Sequence, residues 1–406
     1  MENTSHNVGQ ARSLRGPRRP ASRLACSERA AHLLDYCLRG EPWPPDLLHS
    51  LTGDDCSDAL FRVVAEGLAD RFEPVLCDTY AALFAEAIAP AERAAHLARY
   101  QRVRIPRAIT NEPCTVFVLS RVTLGADVAV TSVILDAAKR RFPDAAIYLV
   151  GPRKNWELFA ADPRILHVPV NYRRGALRDR LAAGPDLRAA LSPPDSIVVD
   201  PDSRLTQLGL LPVCPEERYY FFESRAYGGD GDDPLPVLAR RWAEQTFGIP
   251  DARPFVAVPP SSGLFPPGIA ISLGVGENSA KRIADPFEAN LLTLLAKTGL
   301  PLTIDQGAGG VEAERVERAI AQSGAAVHRW TGSFAGFASI IAASQLYVGY
   351  DSAGQHVAAA CGVPLISVFA GFPCARMFAR WRPAGRVIRV EDPDPARVLE
   401  QVRHNL

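Results

Sequence analysis

VGYDSAGQHVAAACGVPLISVF, residues 348–369, is the stretch whose reading decides the fold. The run at 346–350 is short, apolar and β-branched, as a buried strand is. Asp351, Ser352, Ala353 and Gly354 then make a small, polar turn. Residues 356–361 are Ala-rich and helix-forming, the run stops at Gly362, and Pro364 opens a second apolar run at 365–369. Strand, tight turn, helix, glycine stop and strand form one βαβ unit. Its turn lies at the carboxyl end of a strand and the amino end of a helix. Free backbone N–H groups and the helix dipole favour an anion there.

Working outward, the same grammar repeats. Residues 269–273 and 302–305 read as strands, with a Gly-containing loop at 274–279 and another at 307–310. Helices are expected at 286–297, 311–323, 334–343 and 395–402. Further upstream, 115–119, 146–150, 165–168, 196–199 and 218–222 are short apolar runs, separated by helical patterns at 126–141, 155–160 and 176–190. A Gly- and Asp-rich pause at 228–236 precedes a helix at 237–247. Strands alternating with helices predict parallel, doubly wound sheets. Two such units in tandem, 111–250 and 251–406, predict a deep cleft between their strand ends.

Residues 27–110 follow a different rhythm. Ala30, Leu33, Leu34, Cys37 and Leu38 fall at helical spacing, as do Leu60, Phe61, Val64 and Leu68, and then Tyr80, Leu83, Phe84 and Ile88. Prolines at 42, 44, 45, 74 and 90 punctuate the segment, so about four helices are expected, with no site among them. Residues 1–26 are Arg-rich without an apolar core, which reads as a disordered basic tail and not a secretory signal. Contact of that tail with anionic lipid headgroups is the sharper alternative.

Composition narrows the function. Lys plus Arg equals Asp plus Glu at 45 each, so no global field draws the chain to nucleic acid. No apolar run reaches the ~18 residues of a membrane span. The eight cysteines show no CxxC pair and no metal-ligand spacing, which reads as reduced, buried thiols in a cytoplasmic protein.

Three loops would face the cleft. After the first strand, Thr123, Gly125 and Asp127 stand in a loop leading into a helix. Asp127 is either a carboxylate stabilised by the helix dipole or a general base toward an acceptor hydroxyl. In the second unit, Gly276, Asn278, Ser279, Lys281 and Arg282 follow a strand. They are either a solvated basic pair after a flexible turn or donors to a diphosphate. The loop lacks the P-loop spacing. The third loop is the opening one, where Asp351 would accept from sugar hydroxyls or fix the turn. Ser352, Ala353 and Gly354 would hold phosphate oxygens, and His356 would reach the same anion or simply pack.

Taken together, these segments resemble glycosyltransferase family 9, the heptosyltransferase type. VGYDSAGQHVAAACGVPLISVFAG is similar to that family's Asp-[Ser/Thr]-Gly-x-x-His sugar-nucleotide segment, and SRVTLGADVAVTSVILDAAKRRFPDAAIYLVGPR to its opening strand, Gly-Asp loop and helix. ISLGVGENSAKRIADPFEANLLTLL and the Glu314-Arg315 pair resemble its second-domain opening. The resemblance spans about 115–383 and implies an α/β, GT-B-like fold of two Rossmann-like domains, an acceptor domain and a donor domain, with an N-terminal α-helical extension. It further implies inverting, metal-independent transfer of a heptose or hexose from a nucleotide-diphosphate donor, an ADP-linked one included, with no other cofactor. Asp127 matches the family's base, Lys281 its phosphate-binding lysine, and Asp351, Ser352 and His356 its donor loop. The acceptor is left open between a glycan, a lipid-linked molecule, a protein and a small molecule, at a location peripheral to the inner membrane if the tail binds lipid. Two other readings are carried. One is a catalytically silent sugar-nucleotide sensor or scaffold, favoured by Ala126 standing directly before Asp127. The other is an epimerase or hydrolase of nucleotide sugars using Glu223 and Glu314.

Overall fold

The computed structural model describes residues 20–406 apart from 261, 262, 264, 277 and 308, so most of the basic tail lies outside the described residues. The first sheet contains β1 (Thr115–Leu119), β2 (Ala146–Gly151), β3 (Ile165–Pro169), β4 (Ser196–Asp200) and β5 (Tyr219–Phe221), in the order β3-β2-β1-β4-β5. The second contains β6 (Ile269–Ser272), β7 (Leu302–Asp305), β8 (Val327–Trp330), β9 (Leu346–Tyr350), β10 (Leu365–Phe369) and β11 (Arg386–Arg389), in the order β11-β10-β9-β6-β7-β8. Every pairing is parallel. In the first sheet the order reverses between β1 and β4, in the second between β6 and β9. Those are the points where a doubly wound sheet opens a crevice for ligand. The expected two-unit α/β architecture is therefore present, with the second unit starting at Ile269.

β8 and β11 carry no strand signal in the sequence. They are the outer edges of the second sheet and half-exposed, so their sequences (VHRW, RVIR) lack the apolar run that marks a buried strand. The expected helix at 176–190 is two helices, Leu177–Leu181 and Gly184–Ala190, divided where Gly184 and Pro185 interrupt the turn.

The amino-terminal helices are Pro20–Arg39, Pro45–Thr52, a run covering residues 57–69, Pro74–Ile88 and Arg93–Val103. The first begins inside the stretch expected to be a disordered tail. These helices do not form a core of their own. Cys26, Leu33, Leu60, Phe61, Tyr80, Leu83 and Phe84 pack with one face of the first sheet, Phe117, Leu119, Val150, Val198, Tyr219 and Phe221. The opposite face, Val116, Val118, Ile147, Leu149, Ile197 and Val199, packs on the helices Ser132–Arg141 and Leu235–Phe247. A central parallel sheet must be covered on both faces, and the amino-terminal helices supply one of the two covers. A boundary at residue 110 thus passes through a shared core.

The cysteine reading needs correction. Cys26 and Cys56 form a disulfide, and Cys114 is exposed. Their sequence separation of 30 residues gave no spacing signal; only the packing of the first helix on the 57–69 run brings them together.

Candidate active site

The loops at the strand ends of both sheets open into one cleft of about 1440 Å³. Its floor is a close contact between the domains. The short helix Leu124–Ala126 after β1 presses on the helix Ala353–Ala360 after β9. A Cβ on Gly125 would stand 3.0 Å from His356 Cδ2 and 3.2 Å from Ala353 Cα, so glycine is what lets the two backbones approach.

On the wall formed by the second sheet's loops, Lys281 Nζ donates to Asp351 Oδ2 at 2.6 Å and to the Asp351 carbonyl at 3.3 Å. Gln355 donates to the other Asp351 oxygen, and Ser367 Oγ donates to Gln355 Oε1 at 2.6 Å. Burial raises the Asp351 pKa, and Lys281 opposes that rise. The helix begins at Ala353, three residues earlier than its Ala-rich run announces, with Ser352 at its N-cap. The Ser352 side chain accepts from none of the helix N–H groups, which leaves that N-terminus available to an anion at the cleft. His356 lies against Trp381 and is buried; burial and then the nearby Lys281 push its pKa down to about 3, so it is neutral at physiological pH.

Gly276, Asn278, Lys281, Asp351, Ser352, Ala353 and His356 line the cleft on this wall, and Thr123 and Gly125 line it on the other. Asn278 also caps its own turn, accepting from Ala280 N at 3.0 Å. The remaining residues expected here stand elsewhere. Gly354 is buried behind the turn, where an added Cβ would collide with the Tyr347 hydroxyl. Ser279 is exposed and does not line the cleft. Arg282 turns away from Lys281 to pair with Asp285 and with buried Glu288 at 3.3 Å. Glu314 is exposed, and its neighbour Arg315 is the buried one, pairing with Glu288 and donating to the Leu273 carbonyl at 2.7 Å. Adjacent residues on a tight turn or helix point to different sides, so only one of each charged pair can face the cleft.

Asp127 stands apart from the expectation. Its side chain is 0% exposed and is not among the residues lining the cleft. Four donors saturate its carboxylate: Ser120 Oγ at 2.6 Å, Arg121 N at 2.7 Å, Thr131 Oγ1 at 2.6 Å and Asn155 Nδ2 at 2.6 Å. Burial raises its pKa, and those hydrogen bonds oppose the rise. A base needs a free lone pair within reach of the proton it takes; here the carboxylate is engaged in holding the β1 loop to its helix. The carboxylates nominated for acid/base chemistry on nucleotide sugars fare no better. Glu223 is buried against Tyr100 and pairs with Arg104 at 2.8 Å, and neither it nor Glu314 lines the cleft.

Sequence reasoning missed the arginines that line the cleft and the amino-terminal helices' share of it. Arg62, Asp70 and Phe72 line the cleft together with Arg121, Arg204 and Arg225. Arg225 pairs with Asp202 at 3.0 Å, and its two terminal nitrogens are buried without a hydrogen-bond partner. Arg121 stands two residues after β1, which was a legible signal; nothing in residues 57–72 announced that they reach a site. Among the described residues, no group of three His, Cys, Asp or Glu side chains could hold a metal ion, and no helix is long and apolar enough to cross a membrane.

Comparison with known proteins agrees with this geometry. Residues 289–393 match the family model for glycosyltransferase family 9 (heptosyltransferase). No curated protein sequence matches the chain. The E. coli heptosyltransferase WaaC with ADP is similar at 16% identity and a TM-score of 0.54, covering 72% of this chain and 100% of that one. The E. coli ADP-heptose lps heptosyltransferase II is similar at 19% identity and a TM-score of 0.50, covering 71% and 98%. A glycosyltransferase family 9 protein from Veillonella parvula is similar at 16% identity and a TM-score of 0.51, covering 74% and 92%. At such identities the likeness is one of fold, and the family model adds a sequence likeness over residues 289–393. The stretch 289–393 is similar to glycosyltransferase family 9, and the chain as a whole has a GT-B-like fold.

Proposed function

We propose that this protein transfers a heptose or hexose from a nucleotide-diphosphate donor, with inversion at the anomeric carbon and without a metal. The observation that carries the reading is the donor wall. Lys281 stands on the cleft beside Asp351, next to the open N-terminus of the helix Ala353–Ala360. A departing diphosphate needs positive charge and donors aimed at its oxygens, and an ammonium with free backbone N–H groups supplies both. Asp351 holds Lys281 in place before the donor arrives, and the diphosphate then shares that cation. Neutral His356 offers a ring nitrogen without a charge of its own. Two heptosyltransferase structures of like fold contain ADP or an ADP-linked fluoro-heptose, which favours an ADP-linked donor. The cleft exceeds the roughly 300–1,000 Å³ common for a single small ligand, leaving room for an acceptor beside the donor. The arginines opposite the donor wall favour an acceptor that carries negative charge or many hydroxyls.

Calorimetric titration of a panel of nucleotide-diphosphate sugars, with EDTA present, tests the reading. One donor should bind, and Lys281→Ala should weaken it about 10- to 100-fold, since charge-assisted hydrogen bonds to phosphate are the strong ones. Binding that is indifferent to Lys281, or that requires a divalent ion, refutes the arrangement. Binding without any turnover would make the protein a sensor.

A further inference from the structure

The saturated carboxylate of Asp127 leaves the acceptor-activating base unassigned, and among the described residues the cleft is lined by five carboxylates, those of Asp58, Glu66, Asp70, Asp202 and Asp351. Four are engaged. Asp58 pairs with Arg62 at 3.7 Å and Glu66 with Arg204 at 3.8 Å, while Asp202 is buried on Arg225 and Asp351 on Lys281. Asp70 alone makes no side-chain hydrogen bond or ion pair among the described residues. It is half-buried and borders the same cleft as Lys281, Asp351 and Gly125.

Its position is built from both sides. Asp70 ends the helix Glu66–Ala69, its own N–H donating to the Glu66 carbonyl at 2.9 Å. The next two residues are fastened to the donor domain. Cys374 Sγ lies 3.8 Å from the Arg71 carbonyl, and Arg376 Nη1 donates to the Phe72 carbonyl at 3.1 Å. Phe72 is buried, edge-on to Trp381 at 6.2 Å, and adopts a left-handed φ of 56°. A non-glycine residue holds that conformation only where surrounding contacts over-determine it. The amino-terminal helices are therefore fixed to the donor domain next to Asp70, whose carboxylate has no hydrogen-bond or ion-pair partner among the described residues.

We infer that Asp70, carried by the amino-terminal helices and latched to the donor domain through Phe72, is the general base that activates the acceptor. This rests on the transferase reading above. In the step, an Asp70 oxygen takes the proton of the acceptor O–H as the acceptor oxygen bonds to the anomeric carbon. The bond from that carbon to the diphosphate oxygen breaks, its electron pair leaving with the diphosphate toward Lys281. The protonated Asp70 then returns its proton to water. The charged groups around Asp70 fit the task. Burial raises its pKa to about 6; Glu66 on its own helix and Asp351 on the donor loop add to the rise, while Arg204 and Lys281 oppose it. A base poised just below neutrality is mostly ionised at pH 7 yet basic enough to accept a proton.

The test uses the full chain with ADP-heptose as the probe and water as the acceptor, following release of ADP. Asp70→Asn should lower kcat about 100-fold or more, within the range of a lost general base, while calorimetric affinity for ADP stays within about 2-fold, which also shows that the site is folded. Asp70→Glu should recover part of the rate. Wild-type kcat should fall on the acid side with an apparent pKa near 6, and the limb should be missing in Asp70→Asn. Unchanged turnover in Asp70→Asn, or an acid limb that persists in it, overturns the assignment while the transferase reading stands. No ADP release by the wild type removes the transferase reading and this assignment with it.

Discussion

Replacing Asp127 with alanine separates a structural carboxylate from a catalytic one. The change strips four buried donors of their acceptor at once. The Ser120 and Thr131 hydroxyls can rotate toward other acceptors. The Arg121 N–H and the Asn155 amide cannot, and a buried donor left without a partner costs about 1–3 kcal/mol. Allowing the hydroxyls a smaller share, Asp127→Ala should destabilise the amino-terminal half by about 3–5 kcal/mol. At about 2–4 °C per kcal/mol for a unit of this size, Tm should fall by about 6–20 °C. Asp127→Asn should be milder. The Asn155 Oδ1 is buried without a partner, so a flip of that amide would present an acceptor to the NH₂ group which the substitution introduces. Differential scanning calorimetry of the three proteins, read beside ADP affinity, checks the ranking. An Asp127→Ala variant that melts within a degree of wild type, binds ADP normally and has no turnover would refute the reasoning and return the base to Asp127.

Two further outcomes follow from the floor of the cleft. Gly125→Val should weaken donor binding more than about 10-fold without unfolding the protein, because its branched side chain must push the Ala353 backbone away from the β1 loop; calorimetric titration with ADP decides it. His356 has a folded pKa near 3, below its unfolded value, so the unfolded chain binds the extra proton between those values. Stability should therefore be fully present above about pH 6.5 and lost as pH falls, by roughly 2 kcal/mol at pH 5 from this one group at 1.36 kcal/mol per unit. Urea midpoints at pH 7 and pH 5 should show a smaller drop in His356→Gln than in the wild type.

The fold was largely legible because buried parallel strands are rich in apolar residues, and nine of the eleven described strands fall on short, mainly apolar segments. The two edge strands of the second sheet escaped because their half-exposed positions carry arginine, histidine and tryptophan in place of an apolar run. Within the site, Lys281, Asp351, Ser352 and His356 were readable because their loops follow a strand and precede a helix, places fixed by local pattern. The setting of Asp127 depends on something no local pattern carries. Its neighbours Ser120 and Thr131 are visible in the chain, but Asn155 arrives from the short helix Arg153–Trp156 after β2 and closes the pocket around it. Asp70 was invisible because its exposure to the cleft depends on a left-handed Phe72 and on contacts some three hundred residues away in sequence.

The helices ahead of β1 cover a sheet face that the following residues leave bare. A chain started at residue 111 would present Phe117, Leu119, Val150, Val198, Tyr219 and Phe221 to water, an apolar patch of the kind that drives aggregation. The same helices touch the reaction space through residues 58–72. One segment thus answers to two demands, covering a sheet face on one side and bordering the cleft on the other. Substitutions that retune what the enzyme glycosylates should be confined to the narrow rim of 58–72 that faces the cleft, and swapping the segment between relatives should succeed only when the sheet face travels with it.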